Sequence, residues 1–151
     1  MKIELLPIND DNREEVLHLS VRKDQPFLAT NSDSLKEAEE YNAENPGVAR
    51  PFAIYADGKL VGFCMFYFSP DEEENYYYLW RFMIDKSEQG KGYGQAALAE
   101  IIKYYRENGA DKVYVTTAPE NTCGIHVYHN AGFQETGEFD EDGDVELILV
   151  L

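Results

Sequence analysis

The sequence has few cysteines and no long apolar run. Two cysteines in 151 residues, Cys64 and Cys123, cannot form a disulfide framework and indicate a reducing compartment. Both are predicted to be small buried or half-buried residues rather than nucleophiles. No stretch of about 18 apolar residues occurs, so no membrane span is expected. The first residues lack the apolar core of a signal peptide. These absences predict a cytoplasmic protein.

Basic residues are also scarce, with 13 lysines and arginines against 29 acidic residues and a formal net charge of −16. Such a surface repels nucleic acid, so no nucleic-acid partner is expected, and it attracts cations. Simple solubility and the steering of a polycationic substrate both account for this charge, and the total does not choose between them. The length and the apolar content of 44% predict one domain, residues 1–151, with a proper core.

Hydrophobic periodicity and turn residues predict the order strand, two helices, three strands, helix, strand, helix, two strands. A first helix is expected to reach about residue 23, and the capping box Ser34-x-x-Glu37 is expected to open a second one. Asp57-Gly58 predicts a tight hairpin turn. The predicted strands are 2–8, 51–56, 59–68, 76–84, 112–117, 133–139 and 145–151, and the last two helices are 92–108 and 119–131.

Three glycines in five residues, Gly90, Gly92 and Gly94, lie between the predicted strand 76–84 and the predicted helix 92–108. Backbone amides in such a loop, together with those of the first helical turn, favour an anion, and phosphate is the usual one. Lys91 adds a positive charge. A turn that merely requires glycine is the alternative. The spacing fits neither a Walker loop nor the dinucleotide fingerprint.

The same stretch resembles the Gln/Arg-x-x-Gly-x-Gly signature of the GNAT-type N-acetyltransferases, in which this loop holds the pyrophosphate of acetyl-CoA. The predicted element order resembles that family over essentially the whole chain. The resemblance implies an α/β fold of the GNAT type, with a central mixed, mostly antiparallel sheet flanked by about four helices. It also implies acetyl-CoA as cosubstrate. The implied coenzyme-binding residues of the loop are Gln89, Gly90, Lys91, Gly92, Tyr93, Gly94 and Gln95.

Two further stretches carry the resemblance, Asn121 and Tyr128 with the following Gly132-Phe133. The family implies that Asn121 contacts the pantetheine arm and that Tyr128 protonates the departing thiolate. A phenol at hydrogen-bond distance is a competent acid for this step. Packing on its own helix, against Ile125 and Ala131, is the alternative for Tyr128. The matching family strand implies backbone contacts to the thioester and the pantetheine from Phe82, Met83 and Ile84.

More narrowly, residues 62–68, 81–85 and the pattern Val21-x-x-x-Gln25-x-x-Leu28 resemble bacterial and animal spermidine/spermine N-acetyltransferases. This resemblance implies a small cationic amine, such as spermidine or spermine, as the acceptor. Trp80 stands where the animal enzymes carry a carboxylate, so the base that accepts the proton of the amine is open. The predicted acceptor-binding residues are Gln25, Phe27, Trp80, Glu72, Glu73 and Glu74, the last three by charge alone.

Several alternatives stay open on the sequence. The acceptor could be an aminoglycoside, an amino acid or a protein N-terminus, and Trp80 is compatible with an acyl-CoA-binding module that does not turn over. An acidic decoy of nucleic acid leaves Tyr128, Asn121 and the glycine loop unexplained. No metal is expected, because His126 and His129 lack a carboxylate or cysteine partner at a suitable spacing. The oligomeric state is open, with a homodimer as one option.

Overall fold

Seven strands and four helices follow one another in the predicted order in the computed structural model, which describes residues 1–23, 30–71, 73 and 76–151. No helix in these ranges is long and apolar enough to cross a membrane. The strands are β1 Ile3–Pro7, β2 Ala49–Ala56, β3 Lys59–Phe68, β4 Tyr77–Ile84, β5 Lys112–Thr117, β6 Gln134–Phe139 and β7 Val145–Val150. The helices are α1 Arg13–His18, α2 Asn31–Glu44, α3 Tyr93–Glu107 and α4 Thr122–Asn130.

The strands form one sheet in the order β1-β2-β3-β4-β5-β7-β6. Every neighbouring pair is antiparallel except β4 and β5, which are parallel. The prediction of a mixed, mostly antiparallel sheet with four helices is therefore confirmed. Asp57 and Gly58 join β2 to β3 with positive φ angles of 50° and 82°, as a two-residue hairpin turn requires.

The sheet opens between β4 and β5. These strands pair at one position in the described part of the chain, Tyr78 opposite Tyr114. Just beyond it, Met65 of β3 lies opposite Arg81 while Phe66 lies opposite Leu79, so Trp80 is the extra residue of a β-bulge. A bulge bends its strand and ends regular pairing. The last residues of β4 therefore leave β5, and a gap forms at the carboxyl ends of both strands.

Each face of the sheet has its own core. The amphipathic spacing of α3 places Leu98, Ile101 and Tyr105 against one face, with α4 beside them. On the other face Val16 of α1 and Leu35 of α2 are buried with residues of β3. Each fully buried side chain of this size contributes about 1.5–3 kcal/mol of transfer free energy, so both layers fix the sheet. The gap between β4 and β5 thus lies in a rigid frame.

Three predicted helix boundaries are wrong. The last helix, α4, begins at Thr122 and not at residue 119, because residues 119 and 120 form a turn and Asn121 is the N-cap. The hydroxyl of Thr30 accepts a hydrogen bond from the amide of Asp33 at 3.2 Å, so Thr30 is the N-cap of α2. Ser34 lies inside this helix, where it is 1% exposed and donates its hydroxyl to the carbonyl of Thr30. The predicted box was therefore one turn late, because burial of Ser34 draws it into the helix. The first helix, α1, ends at His18 because Leu19 is extended.

Candidate active site

The predicted coenzyme and catalytic residues meet at one cavity of about 360 Å³. It lies between the end of β4, the start of α3 and the first turns of α4. Lys91 is the one member of the predicted set that does not line it. The predicted residues that do are Phe82, Met83, Ile84, Gln89, Gly90, Gly92, Tyr93, Gly94, Gln95, Asn121 and Tyr128.

The loop of residues 85–92, called the glycine loop below, leads from β4 into α3. Gly90 and Gly92 have φ angles of 80° and 86°, in the left-handed region that glycine adopts without strain. A Cβ atom built on either residue would meet nothing within 4 Å, so the space in front of the loop is open. The first turn of α3 has neither a side-chain cap nor an acidic residue. Its amides are therefore available to an anion.

Side chains brace the glycine loop from below. The amide of Gln89 donates to the carbonyl of Ile84 at 2.9 Å, which ties the loop to the end of β4. The carboxylate of Asp85 accepts from the amide of Ser20, and the amide of Lys86 donates to the carbonyl of Ser20 at 2.7 Å. These bonds bring the chain after α1 to the cavity. Val21 and Arg22, which the sequence did not predict here, consequently form part of its wall.

The charge predicted for Lys91 is offset by a neighbour. Its ammonium group lies 2.9 Å from the carboxylate of Glu88, a residue that is 4% exposed and lines the cavity. Lys59, at the start of β3, lies 2.5 Å from the other carboxylate oxygen. The sequence analysis did not predict Glu88 or Lys59 at this site. The available signal was an acidic residue directly before the glycine motif, because its negative charge requires a neighbouring cation.

Tyr128 lines the cavity and is buried, with 6% of its surface exposed. Its ring contacts those of Phe82 and Phe133 at centroid distances of 6.4 and 5.5 Å. Its hydroxyl makes no hydrogen bond to any residue that the structure describes, and it borders the cavity. Burial, with a smaller contribution from Tyr78, raises the pKa of Tyr128 well above its usual value. The phenol is therefore protonated at neutral pH and has its proton to give.

Asn121 caps α4 and also faces the cavity. Its side-chain oxygen accepts from the amide of Gly124 at 3.1 Å, and its side-chain nitrogen donates to the hydroxyl of Thr117 at 2.8 Å. A carboxamide has a second N–H, which is left for a ligand. A Cβ atom at Gly124 would come within 2.3 Å of the Asn121 side chain, so a glycine is needed there. Neighbouring Cys123 is exposed and lines the cavity, so its predicted burial is wrong, whereas Cys64 is buried as predicted.

Trp80 is not part of the cavity wall. Its side chain lies on the face of the sheet that carries α1 and α2, opposite that of Leu79, and its ring meets Tyr41 at 4.9 Å and Tyr67 at 6.0 Å, both edge to face. The guanidinium of Arg81 lies 5.7 Å from the ring and also pairs with Glu37 at 3.3 Å. Trp80 therefore stands on the far side of β4 from α3 and α4.

The other predicted acceptor residues are mostly outside the described ranges. Gln25, Phe27, Glu72 and Glu74 fall there, and Glu73 is exposed with its amide bonded to the Asp71 carboxylate at 2.9 Å.

Carboxylates and tyrosines meet elsewhere, where the first residues of β4 lie beside β5 and β7. Tyr76 stacks on Tyr114 at 5.4 Å and on Tyr78 at 6.1 Å. Burial, then the neighbouring Tyr78 and Glu146, raise the pKa of Tyr76 to about 12. Burial first, and then the nearby Asp140 and Asp142, raise the pKa of Asp144. The turn between β6 and β7 therefore places negative charge beside a set of aromatic rings.

The chain matches known proteins over most of its length. The sequence model of the acetyltransferase (GNAT) family matches residues 14–133. Over 157 aligned positions the chain is 32% identical to the probable spermine N(1)-acetyltransferase of Bacillus subtilis subsp. natto (strain BEST195) and 31% identical to the spermine/spermidine N(1)-acetyltransferase of Bacillus subtilis (strain 168). Both alignments cover all of each chain.

The fold is also similar to that of spermidine N-acetyltransferase from Vibrio cholerae, whose crystal structure is a complex with CoA and spermine. The TM-score is 0.78 at 18% identity, and the match covers 98% of this chain and 95% of that one. At this identity the likeness concerns the fold.

Proposed function

Because this chain belongs to the acetyltransferase (GNAT) family, we propose that it transfers the acetyl group of acetyl-CoA to a polyamine such as spermidine or spermine. The chain is an acetyl-CoA-dependent N-acetyltransferase, which sets aside the acyl-CoA-binding module without turnover. The polyamine acceptor is the proposal. The observation that carries it is the similarity, over the full length of both chains, to two relatives named for spermine or spermidine.

The proposed reaction is a direct attack of the amine on the thioester. The ammonium form of the amine first loses one proton to water. A nitrogen–carbon bond then forms, the carbon–sulfur bond breaks, and a second proton passes from nitrogen to sulfur. We assign the delivery of that proton to the hydroxyl of Tyr128, which borders the cavity without a hydrogen-bond partner among the described residues. Backbone groups of Phe82–Ile84, freed from β5 by the bulge, are assigned to the thioester carbonyl and the pantetheine. Amides of the glycine loop are assigned to the pyrophosphate.

Charge around the tyrosines at the start of β4 supports a polycationic acceptor. The aromatic faces of Tyr76, Tyr78 and Tyr114 attract ammonium groups, and so do the carboxylates of Asp144 and Glu146. The net charge of −16 adds a long-range field that raises the encounter rate of a polycation. A monoamine gains less from the local attraction and from the long-range field because it carries a single charge.

We expect the KM for spermine to rise with added salt, and to rise more steeply than the KM for a monoamine. Exposed charges are screened beyond about 8 Å at physiological ionic strength. We also expect Asp144→Asn to raise the KM for spermine by about threefold, the effect of one exposed ion pair, with little change for the monoamine. Steady-state kinetics at several salt concentrations measure both effects.

The matched control is Glu107→Gln, which removes one exposed carboxylate at the end of α3 and should change neither KM. Equal shifts for spermine and the monoamine would mean that the charge serves solubility. If neither spermidine nor spermine is acetylated at any salt concentration, the polyamine assignment is refuted, and the acetyltransferase activity is then sought with other amines.

Asn121 offers a second test, of the cofactor side of the site. Asn121→Ala removes the cap of α4 and should lower the free energy of unfolding by about 1 kcal/mol. Asn121→Asp keeps the capping oxygen and loses the N–H donors, so its stability should stay near that of the wild type. If the free N–H binds the pantetheine arm, both variants weaken CoA binding in calorimetry. Wild-type affinity in Asn121→Asp would limit this residue to capping.

A further inference from the structure

A buried carboxylate joins two lysines from separate elements beside the glycine loop. Glu88 is 4% exposed, and each of its carboxylate oxygens contacts a different ammonium group, Lys59 at 2.5 Å and Lys91 at 2.9 Å. The amide of Glu88 also donates to the carbonyl of Asp85 at 2.8 Å, which fixes where its side chain starts. The hydrogen bond to Glu88 raises the pKa of Lys59, and the two lysines lower that of Glu88, so Glu88 and Lys59 form an ionised pair.

The two lysines can still bind an anion while they contact Glu88. Two ammonium groups and one carboxylate sum to one positive charge. An ammonium group has three N–H donors, and the contact with Glu88 uses one of them on each lysine. The side chains of Lys59 and Lys91 are 67% and 51% exposed, so the remaining donors are accessible.

The position of Glu88 and its two lysines indicates which ligand they bind. Glu88 lines the cavity together with Gly90 and Gly92, and Lys91 lies between these two glycines in the chain. The adjoining N-terminus of α3 attracts anions through its amides. A lysine held beside such amides adds a charge-assisted donor to the same anion.

We propose that Lys59, held by Glu88, is a further coenzyme-binding residue that donates to a phosphate group of acetyl-CoA. Lys59 belongs to the hairpin between β2 and β3, outside the glycine loop and α3, so the loop motif does not include it. Glu88 acts as a positioning residue that keeps Lys59 and Lys91 beside the glycine loop. The phosphate accepts hydrogen bonds from the remaining N–H groups of the lysines. The diphosphate and the 3′-phosphate share this chemistry.

The test compares three ligands that differ in their phosphates: CoA, 3′-dephospho-CoA and pantetheine. We expect Lys59→Met to weaken CoA binding by about fivefold in titration calorimetry at low salt, with the loss shrinking as salt is added. Pantetheine, measured by displacement, should bind wild type and variant equally. A loss that disappears with 3′-dephospho-CoA identifies the 3′-phosphate, and a loss that persists with it identifies the diphosphate. Unchanged CoA affinity, or equal losses for all three ligands, would refute the proposal.

Two controls separate charge from structure. Lys59→Arg keeps the charge and should bind CoA within about twofold of the wild type. Lys103→Met removes an exposed lysine that lies about 15 Å from the N-terminus of α3, by the helical rise, and it should have no effect on CoA binding. In a Glu88→Gln background Lys59→Met should cost less than twofold, because Lys59 is no longer held. The same fivefold loss in both backgrounds would refute the positioning role of Glu88. No acceptor amine is involved, so the outcome is independent of the polyamine proposal.

Discussion

Replacing Tyr128 with phenylalanine is expected to lower kcat by about 100-fold, the usual effect of losing a general acid. The ring stays, so its packing on Phe82 and Phe133 is kept. The Kd for acetyl-CoA should hardly change. Pre-steady-state and steady-state kinetics with a saturating acceptor measure the effect, and calorimetry measures the affinity.

The proton transfer is efficient because the Tyr128 phenol and the departing thiolate are buried together and their proton affinities rise together. Burial raises the pKa of the Tyr128 phenol, which by itself makes it a weaker acid. The departing thiolate leaves into the same cavity, where desolvation raises its proton affinity in the same direction. The transfer therefore stays close to balanced. Since the raised pKa lies above the usual value near 10, kcat should show no loss from ionisation of Tyr128 between about pH 7 and pH 10.

A matched control is Tyr105→Phe. Tyr105 is also buried, but its hydroxyl donates to the carbonyl of Tyr78 at 2.9 Å, which makes it structural. Its loss should lower the free energy of unfolding by about 1 kcal/mol and leave kcat within about twofold of the wild type. A Tyr128→Phe variant that turns over like the wild type would make Tyr128 a packing residue, as its contacts with two aromatic rings also permit.

Much of this site could be predicted from the sequence because its signals are local. Gly90 and Gly92 need a left-handed backbone, and the stop at Asn108 together with the apolar spacing fixed the length of α3 within one residue at each end. The helix predicted over 119–131 also places Tyr128 two turns after Asn121, whereas the role of Asn121 as the N-cap appears only in the structure. These residues therefore lie around one cavity once α3 and α4 pack on the same face of the sheet.

What could not be predicted depends on contacts between distant segments. The bulge at Trp80 arises from the register between β3 and β4, and the extra residue is what brings Phe82 and Ile84 to the face of the sheet that carries α3 and α4. Glu88 meets Lys59 across 29 positions in the chain, so no local pattern links them. Thr30 and Ser34 are equally good N-caps by residue type. Ser34 is buried against β4, where Arg81 donates to its hydroxyl, and Thr30 is therefore the N-cap.

The largest effect on binding is expected from the glycines of the loop, and Gly94 gives the sharper test. A Cβ atom at Gly94 would lie 3.9 Å from the Ile84 side chain, an ordinary contact, and its φ is not left-handed. The fold therefore accepts a valine there, at no cost in helix propensity relative to glycine. The added methyl groups project from the first turn of α3, where the pyrophosphate is proposed to lie.

We expect Gly94→Val to weaken CoA binding by about 100-fold, equivalent to about 2.7 kcal/mol, at an unchanged melting temperature. Gly92→Val should also block binding, but its φ of 86° adds backbone strain of about 1–3 kcal/mol. Gly47→Val is the control for that strain, because Gly47 has a φ of 83°, equally open surroundings and a place outside the cavity. It should lose stability and keep its affinity for CoA. Wild-type affinity in both loop variants would move the pyrophosphate away from the glycine loop.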